Sequence, residues 1–228
     1  MANISAPDSS APTASAPTEP PVKAVLFDAL GTLVELEPPW VGLRAALGDD
    51  VDEERLIGAV RKEMDFYREH AHEGRDADSL ADLRERSAAV LSEALGSEVP
   101  VHVLVDSIRF APFPDAIPAL RNLRDRGLRL VCVSNWDISL EQVLERCGLM
   151  ELLDGAVSSA EAGPPKPHPA VLLAGLRLAG CEPQEAVMVG DTPEEDGAAA
   201  SAAGMRALIV DRAGGGDIAS LAEVATRV

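Results

Sequence analysis

Three features of this 228-residue sequence predict an α/β fold, a parallel sheet with helices on both faces. Four short apolar runs each stop at a polar residue, helical stretches separate them, and a block of amphipathic helices interrupts the alternation after the first run. Strands alternating with helices favour a parallel sheet, because each crossover helix returns the chain to the same edge.

The first run, KAVLFDALGTL from Lys23, stops at Asp28 and meets Gly31 soon after, which reads as a buried strand ending in a turn. LRLVCVSN (128–135), EAVMVGD (185–191) and RALIVDR (206–212) repeat the form. Asp137 is predicted to cap a helix carrying Leu140, Val143, Leu144 and Cys147, with Gly148 ending it. Thr192-Pro193-Glu194-Glu195 predicts a second start: a capping threonine, proline at the first position and glutamate at the third. The small residues that follow, GAAASAAG, would let this helix lie close to the sheet.

Residues 36–112 carry three helical faces: Leu56, Ile57, Val60, Met64 and Tyr67; then Leu80, Leu83, Val90 and Leu91; then Val101, Leu104, Val105 and Ile108. They predict a helical insertion into a core formed by 22–35 and 113–228. Residues 1–21, rich in Ala, Ser, Pro and Thr with no basic start or aliphatic run, read as a disordered tail and not as a secretory signal.

A chain of this length can bury a sizeable core without disulfide staples. Cys132, Cys147 and Cys181 are widely spaced and sit among apolar neighbours, as packing thiols of a reducing, cytoplasmic compartment would. The 38 acidic and 20 basic residues give a formal charge of -18, which disfavours nucleic acid and anionic membrane as partners. An anionic small-molecule substrate would need a local positive site. No run reaches the eighteen or so apolar residues of a membrane span.

Ligands of open parallel sheets bind beyond the carboxyl ends of the strands. Asp28, then Ser134 and Asn135, then Asp191 fall at such ends, with Asp196 one turn further on and Lys166 in the loop AEAGPPKPHP. Only three lysines, Lys23, Lys62 and Lys166, occur against seventeen arginines, so a lysine in a proline-rich loop suggests a need for a compact point charge. Read without further context, a serine ahead of a helix is as readily a cap.

Four segments in order, VLFDALGTL, LVCVSNWD, GPPKPHP and VMVGDTPEEDGAAASAAG, resemble the haloacid dehalogenase-like hydrolases that carry a helical cap after the first strand, over about Val22 to Asp211. The resemblance implies a Rossmann-like core, with 36–112 as the cap. It makes Asp28 the nucleophile, forming a covalent aspartyl intermediate that water hydrolyses; a carboxylate is ionised near neutral pH and needs no activating base. Ser134 would bond the transferred group, helped by the backbone around Asn135 and by Thr32, while Lys166 neutralises developing charge. Asp28, Asp191, Asp196 and the Leu30 carbonyl would hold Mg²⁺, a hard cation suited to oxygen ligands.

One departure bears on the reaction. Phosphatases of the family usually carry a second aspartate two residues after the nucleophile, as general acid and base; here that position is Leu30. The family's 2-haloacid dehalogenases also lack it and need no metal, and Arg61 is a candidate counterpart of their substrate-gripping arginine. Their fourth motif, however, generally has serine and asparagine where this chain has Gly190-Asp191-Thr192. A magnesium-dependent phosphatase of small phosphorylated metabolites is therefore expected, with a metal-independent dehalogenase or a non-catalytic relative as alternatives. Tyr67, His70 or His72 are the candidates for the missing proton donor.

Overall fold

The computed structural model describes residues 20–48 and 51–228. Residues 1–19 of the expected tail lie outside the described residues.

β1 (Ala24–Phe27) leads through a turn to β2 (Val34–Leu36), and four helices follow: α1 (Pro39–Leu47), α2 (Glu53–His70), α3 (Ala77–Leu95) and α4 (Val101–Ser107). β3 (Phe110–Pro112) returns antiparallel to β2, so a two-stranded ribbon closes the helical insertion at its base. The chain continues through α5 (Ala116–Asp125), β4 (Arg129–Ser134), α6 (Leu140–Arg146), β5 (Gly155–Ser158), α7 (Ser159–Ala162), α8 (Ala170–Ala179), β6 (Ala186–Gly190), a π-turn at Pro193–Gly197, α9 (Ala198–Ala203) and β7 (Arg206–Ile209). The main sheet runs β5-β4-β1-β6-β7 and is parallel throughout.

Alternate residues of a strand face opposite sides of a sheet. Val25, Phe27, Leu130 and Cys132 accordingly join one core with α5 and α6, whereas Ala24, Leu26, Val131 and Val133 join another with α8 and α9. Helices on both faces explain why β1 is buried along its whole length and reads as an unbroken apolar run. A third core, with Leu43, Leu56, Val60, Leu91 and Leu104, belongs to α1–α4 alone. The insertion thus has an interior of its own above the carboxyl edge of the sheet.

Two helix starts differ from expectation. α6 begins at Leu140, because the Asp137 carboxylate accepts the Ser139 N–H at 2.6 Å in a tight turn and delays the first helical residue. Thr192 makes no side-chain cap; its N–H donates to Asp196 at 3.1 Å, and the chain winds through the π-turn before α9. Cys132 and Cys147 are buried free thiols and Cys181 is half-buried. Among the described residues no helix is long and apolar enough to cross a membrane.

Candidate active site

Parallel register sets Phe27 beside Cys132 and Val189, so β4, β1 and β6 end at one level. Each then presents a polar side chain: Ser134, Asp28 and Asp191. Ligand oxygens of Asp28, Asp191 and Asp196 lie within 4.8 Å of one another.

Lys166 enters this cluster from the loop between α7 and α8. Its ammonium donates to Asp28 Oδ1 and Asp196 Oδ1, each at 2.6 Å, and to the Val133 carbonyl at 3.3 Å, with the residue only 4% exposed. Asn135 fixes that loop: its Oδ1 accepts the Lys166 N–H at 2.7 Å, and its Nδ2 donates to the Lys166 carbonyl and to Glu195 Oε2, both at 3.0 Å. The Asn135 amide is fully engaged, so it positions the lysine. Ser134 donates to Asp28 Oδ1 at 2.9 Å, as Lys166 does, so among the described residues Oδ2 is the Asp28 oxygen without a donor.

Two glycines permit this convergence. A Cβ on Gly31 would lie 2.1 Å from Asp191 Oδ2, and Gly31 has φ +88°, a region that L side chains rarely adopt. A Cβ on Gly190 would lie 2.2 Å from the Asp196 carboxyl, which tucks beneath the strand end. With Oδ1 on Lys166 and Oδ2 on the Thr192 N–H, Asp196 is the most committed of the three carboxylates. Its first task is to hold the lysine.

With all three ionised, three carboxylates against one ammonium leave two negative charges uncompensated. Burial pushes Asp28 up to about 7, with Lys166 opposing the rise and Asp196 adding to it. Asp191 is also raised, by burial and then by Asp196. Burial alone would lower Lys166, but Asp28 and Asp196 outweigh it and hold the ammonium above its ordinary value. The cluster therefore favours a further positive charge, and a divalent cation matches the deficit with oxygen ligands.

A cavity of about 210 Å³ lies between the sheet edge and the helical insertion, bordered by Leu30 and Asn135 on one side and by Met64, Tyr67 and Ile108 on the other. Tyr67 donates to Asp137 Oδ2 at 2.8 Å. Burial, reinforced by Asp137, holds its hydroxyl well above the ordinary tyrosine value, so it is a poor acid and its one proton is already engaged. His70 Nδ1 contacts the Phe66 carbonyl at 2.8 Å, and neither His70 nor His72 borders the cavity.

Other expected residues are placed elsewhere. Arg61 is exposed on α2 and does not border the cavity; the arginines that do are Arg68, Arg84 and Arg146. Thr32 is fully buried with an unpartnered hydroxyl and does not border the cavity. Two residues that do not stand out in the sequence also belong here: Glu63, a buried carboxyl of the cavity wall, and Arg212, which donates to the Gly31 and Thr32 carbonyls at 3.4 and 3.1 Å and steadies the turn after Asp28.

The family model for haloacid dehalogenase-like hydrolases matches residues 22–204, which takes in the strand ends, the lysine loop and the helical insertion. The chain belongs to the haloacid dehalogenase-like hydrolases. This hydrolase is 30% identical over 194 residues to glyceraldehyde 3-phosphate phosphatase of Methanopyrus kandleri, covering 81% of the chain and 82% of that relative. It is 43% identical over 91 residues to haloacid dehalogenase-like hydrolase domain-containing protein 3 of Bos taurus, a match spanning 40% of the chain and 36% of that protein's length. Among solved structures, L-2-haloacid dehalogenase of Xanthobacter autotrophicus superposes with a TM-score of 0.65 at 27% identity, covering 84% of this chain and 78% of that one.

Proposed function

We propose that this hydrolase is a magnesium-dependent phosphatase of small phosphorylated metabolites and that residues 36–112 act as its cap. The observation that carries the reading is the cluster of Asp28, Asp191 and Asp196, with ligand oxygens within 4.8 Å of one another and a single ammonium among them. Asp28, Asp191 and the Leu30 carbonyl are the proposed ligands, with Asp196 behind them. When bound, Mg²⁺ would offset charge on the phosphoryl oxygens.

Asp28 Oδ2 attacks phosphorus, a phosphorus–oxygen bond forms to the carboxylate, and the ester oxygen departs with its electron pair. Lys166 and the Ser134 hydroxyl hold Asp28 Oδ1, which aims the other oxygen and limits charge build-up around it. Water then hydrolyses the aspartyl phosphate and frees the carboxylate. Leu30 cannot protonate the leaving oxygen and the Tyr67 proton is engaged, so the preferred substrates carry a leaving group of low basicity, such as an acyl phosphate. The similarity to the Methanopyrus phosphatase over most of both chains supports the substrate class.

Leu30 and the likeness to the Xanthobacter enzyme favour a second reading, metal-independent dehalogenation of a 2-haloacid. The excess negative charge of the carboxylate cluster opposes it, since a haloacid carboxylate would meet that charge at the sheet edge without a metal ion to offset it. Purified protein is expected to release phosphate from para-nitrophenyl phosphate and to stop on addition of EDTA. Halide release from 2-chloropropionate that EDTA leaves unchanged would reverse the assignment.

A further inference from the structure

One buried acidic group has no part in this chemistry. Glu63 lies on the inward stripe of α2 with Leu56, Ala59 and Val60, is 5% exposed, and forms no ion pair among the described residues. It borders the same cavity that reaches Leu30 and Asn135. Burying a carboxylate is costly unless a positive partner or several hydrogen bonds meet it. Burial pushes Glu63 up to about 7, against a weaker downward pull from Ser87, so an arriving cation would favour its ionised form. Arg68, Arg84 and Arg146 border the cavity as well, but none stands within ion-pair distance of Glu63. The matching charge is left for the ligand to bring.

Met64, Leu104, Val105, Ile108 and Phe110 give the cavity an apolar portion of wall beside its polar groups. Its volume of about 210 Å³ is below the roughly 300–1,000 Å³ usual for drug-sized ligands. A short chain fits.

We propose that this cavity receives the substrate's leaving group and that Glu63 selects a short, mostly apolar chain bearing one ammonium nitrogen. The placement of the phosphate end rests on the phosphatase reading above; recognition of the ammonium rests on Glu63 and the cavity. A neutral chain would leave the Glu63 carboxyl unmatched.

The test titrates the full chain calorimetrically at pH 8 with n-butylammonium and with n-butanol. The cation is expected to bind at least about 10-fold more tightly, Glu63→Gln to remove that preference, and Glu63→Asp, which keeps the charge, to retain part of it. Equal affinity of the parent for both probes overturns the proposal whatever the variants do, as does an unchanged preference in Glu63→Gln. A kinetic comparison of 4-(aminomethyl)phenyl phosphate with 4-methylphenyl phosphate, aryl esters whose leaving oxygens are far less basic than an alkoxide, separates the two readings. Phosphate release from both esters at equal kcat/KM defeats the ammonium site and leaves the phosphatase standing. No release from either, with the calorimetric preference intact, supports the ammonium site and defeats the phosphatase.

Discussion

Replacing Lys166 by Met would remove the one ammonium among three converging carboxylates while nearly keeping the side chain's length. In the parent, Lys166 Nζ stands 2.6 Å from both Asp28 and Asp196, and all three residues are at most 7% exposed. Breaking a buried pair by deleting one partner costs about 3–5 kcal/mol, because the remaining charge is left unmatched. For a chain of this size that is a fall in melting temperature of roughly 6–20 °C. The loss should depend on pH. With the ammonium gone, the folded pKa of Asp28, already raised by burial, rises further above its unfolded value; a group shifted in that direction stabilises the fold at low pH and loses its contribution as pH rises through the folded value. Lys166 itself is held above its ordinary value, so its contribution in the parent is constant across neutral pH. Thermal unfolding in EDTA should therefore show a larger deficit for Lys166→Met at pH 8 than at pH 5. A deficit below about 1 kcal/mol, or one equal at both pH values, would refute the electrostatic reasoning.

Leu30→Asp would place a proton donor beside Asp28, the proposed nucleophile, and is expected to raise kcat on unactivated alkyl phosphates by about 10-fold or more, part of the 10²–10⁴ such a group supplies; unchanged turnover would show that another group already does this. Gly31→Ala would drive a methyl into Asp191 and strain a positive-φ turn, so phosphate release should fall at least about 100-fold while circular dichroism shows an intact fold. Glu63, raised to about 7 by burial, stabilises the fold fully below about 4.5 and loses that contribution as pH passes 7, by up to about 3 kcal/mol. Glu63→Gln should flatten that part of the stability profile between pH 5 and 8, measured by urea denaturation.

Four of the five strands of the main sheet were legible: β4, β1 and β6 because central strands of a parallel sheet are buried on both faces and read as unbroken apolar runs, and the edge strand β7 because its sequence, RALI, runs on into Val210 as four apolar residues. β5, with the sequence GAVS, is a short edge strand with three half-buried residues, and its glycine and serine resemble a turn. β2 and β3 span three residues each, one ending in proline, too few for an alternation to register. α1 escaped notice because Gly42 and the exposed Val41 break its pattern.

At the site, Asp28, Ser134, Lys166, Asp191 and Asp196 were readable as strand-end or loop polar residues, and the sheet brings them together. Arg61 was misplaced because helical spacing gives a stripe and not the direction in which charged neighbours point. Glu63 was hidden by its setting, since RKEMDFYREH reads as a solvated run of mixed charge. Its position gave the signal: it follows Leu56, Ala59 and Val60 at seven, four and three residues, on the apolar stripe itself.

The central claim is that Asp28 and Asp191, backed by Asp196, form a cation site whose charge deficit one lysine leaves unfilled. Calorimetric titration of the parent and of Asp191→Asn with Mg²⁺ tests it most directly. The account predicts one Mg²⁺ per parent chain, with proton release near pH 7 as the raised Asp28 carboxyl ionises, and binding at least about 10-fold weaker in the variant. Absence of Mg²⁺ uptake by the parent, or equal uptake by both proteins, would contradict it.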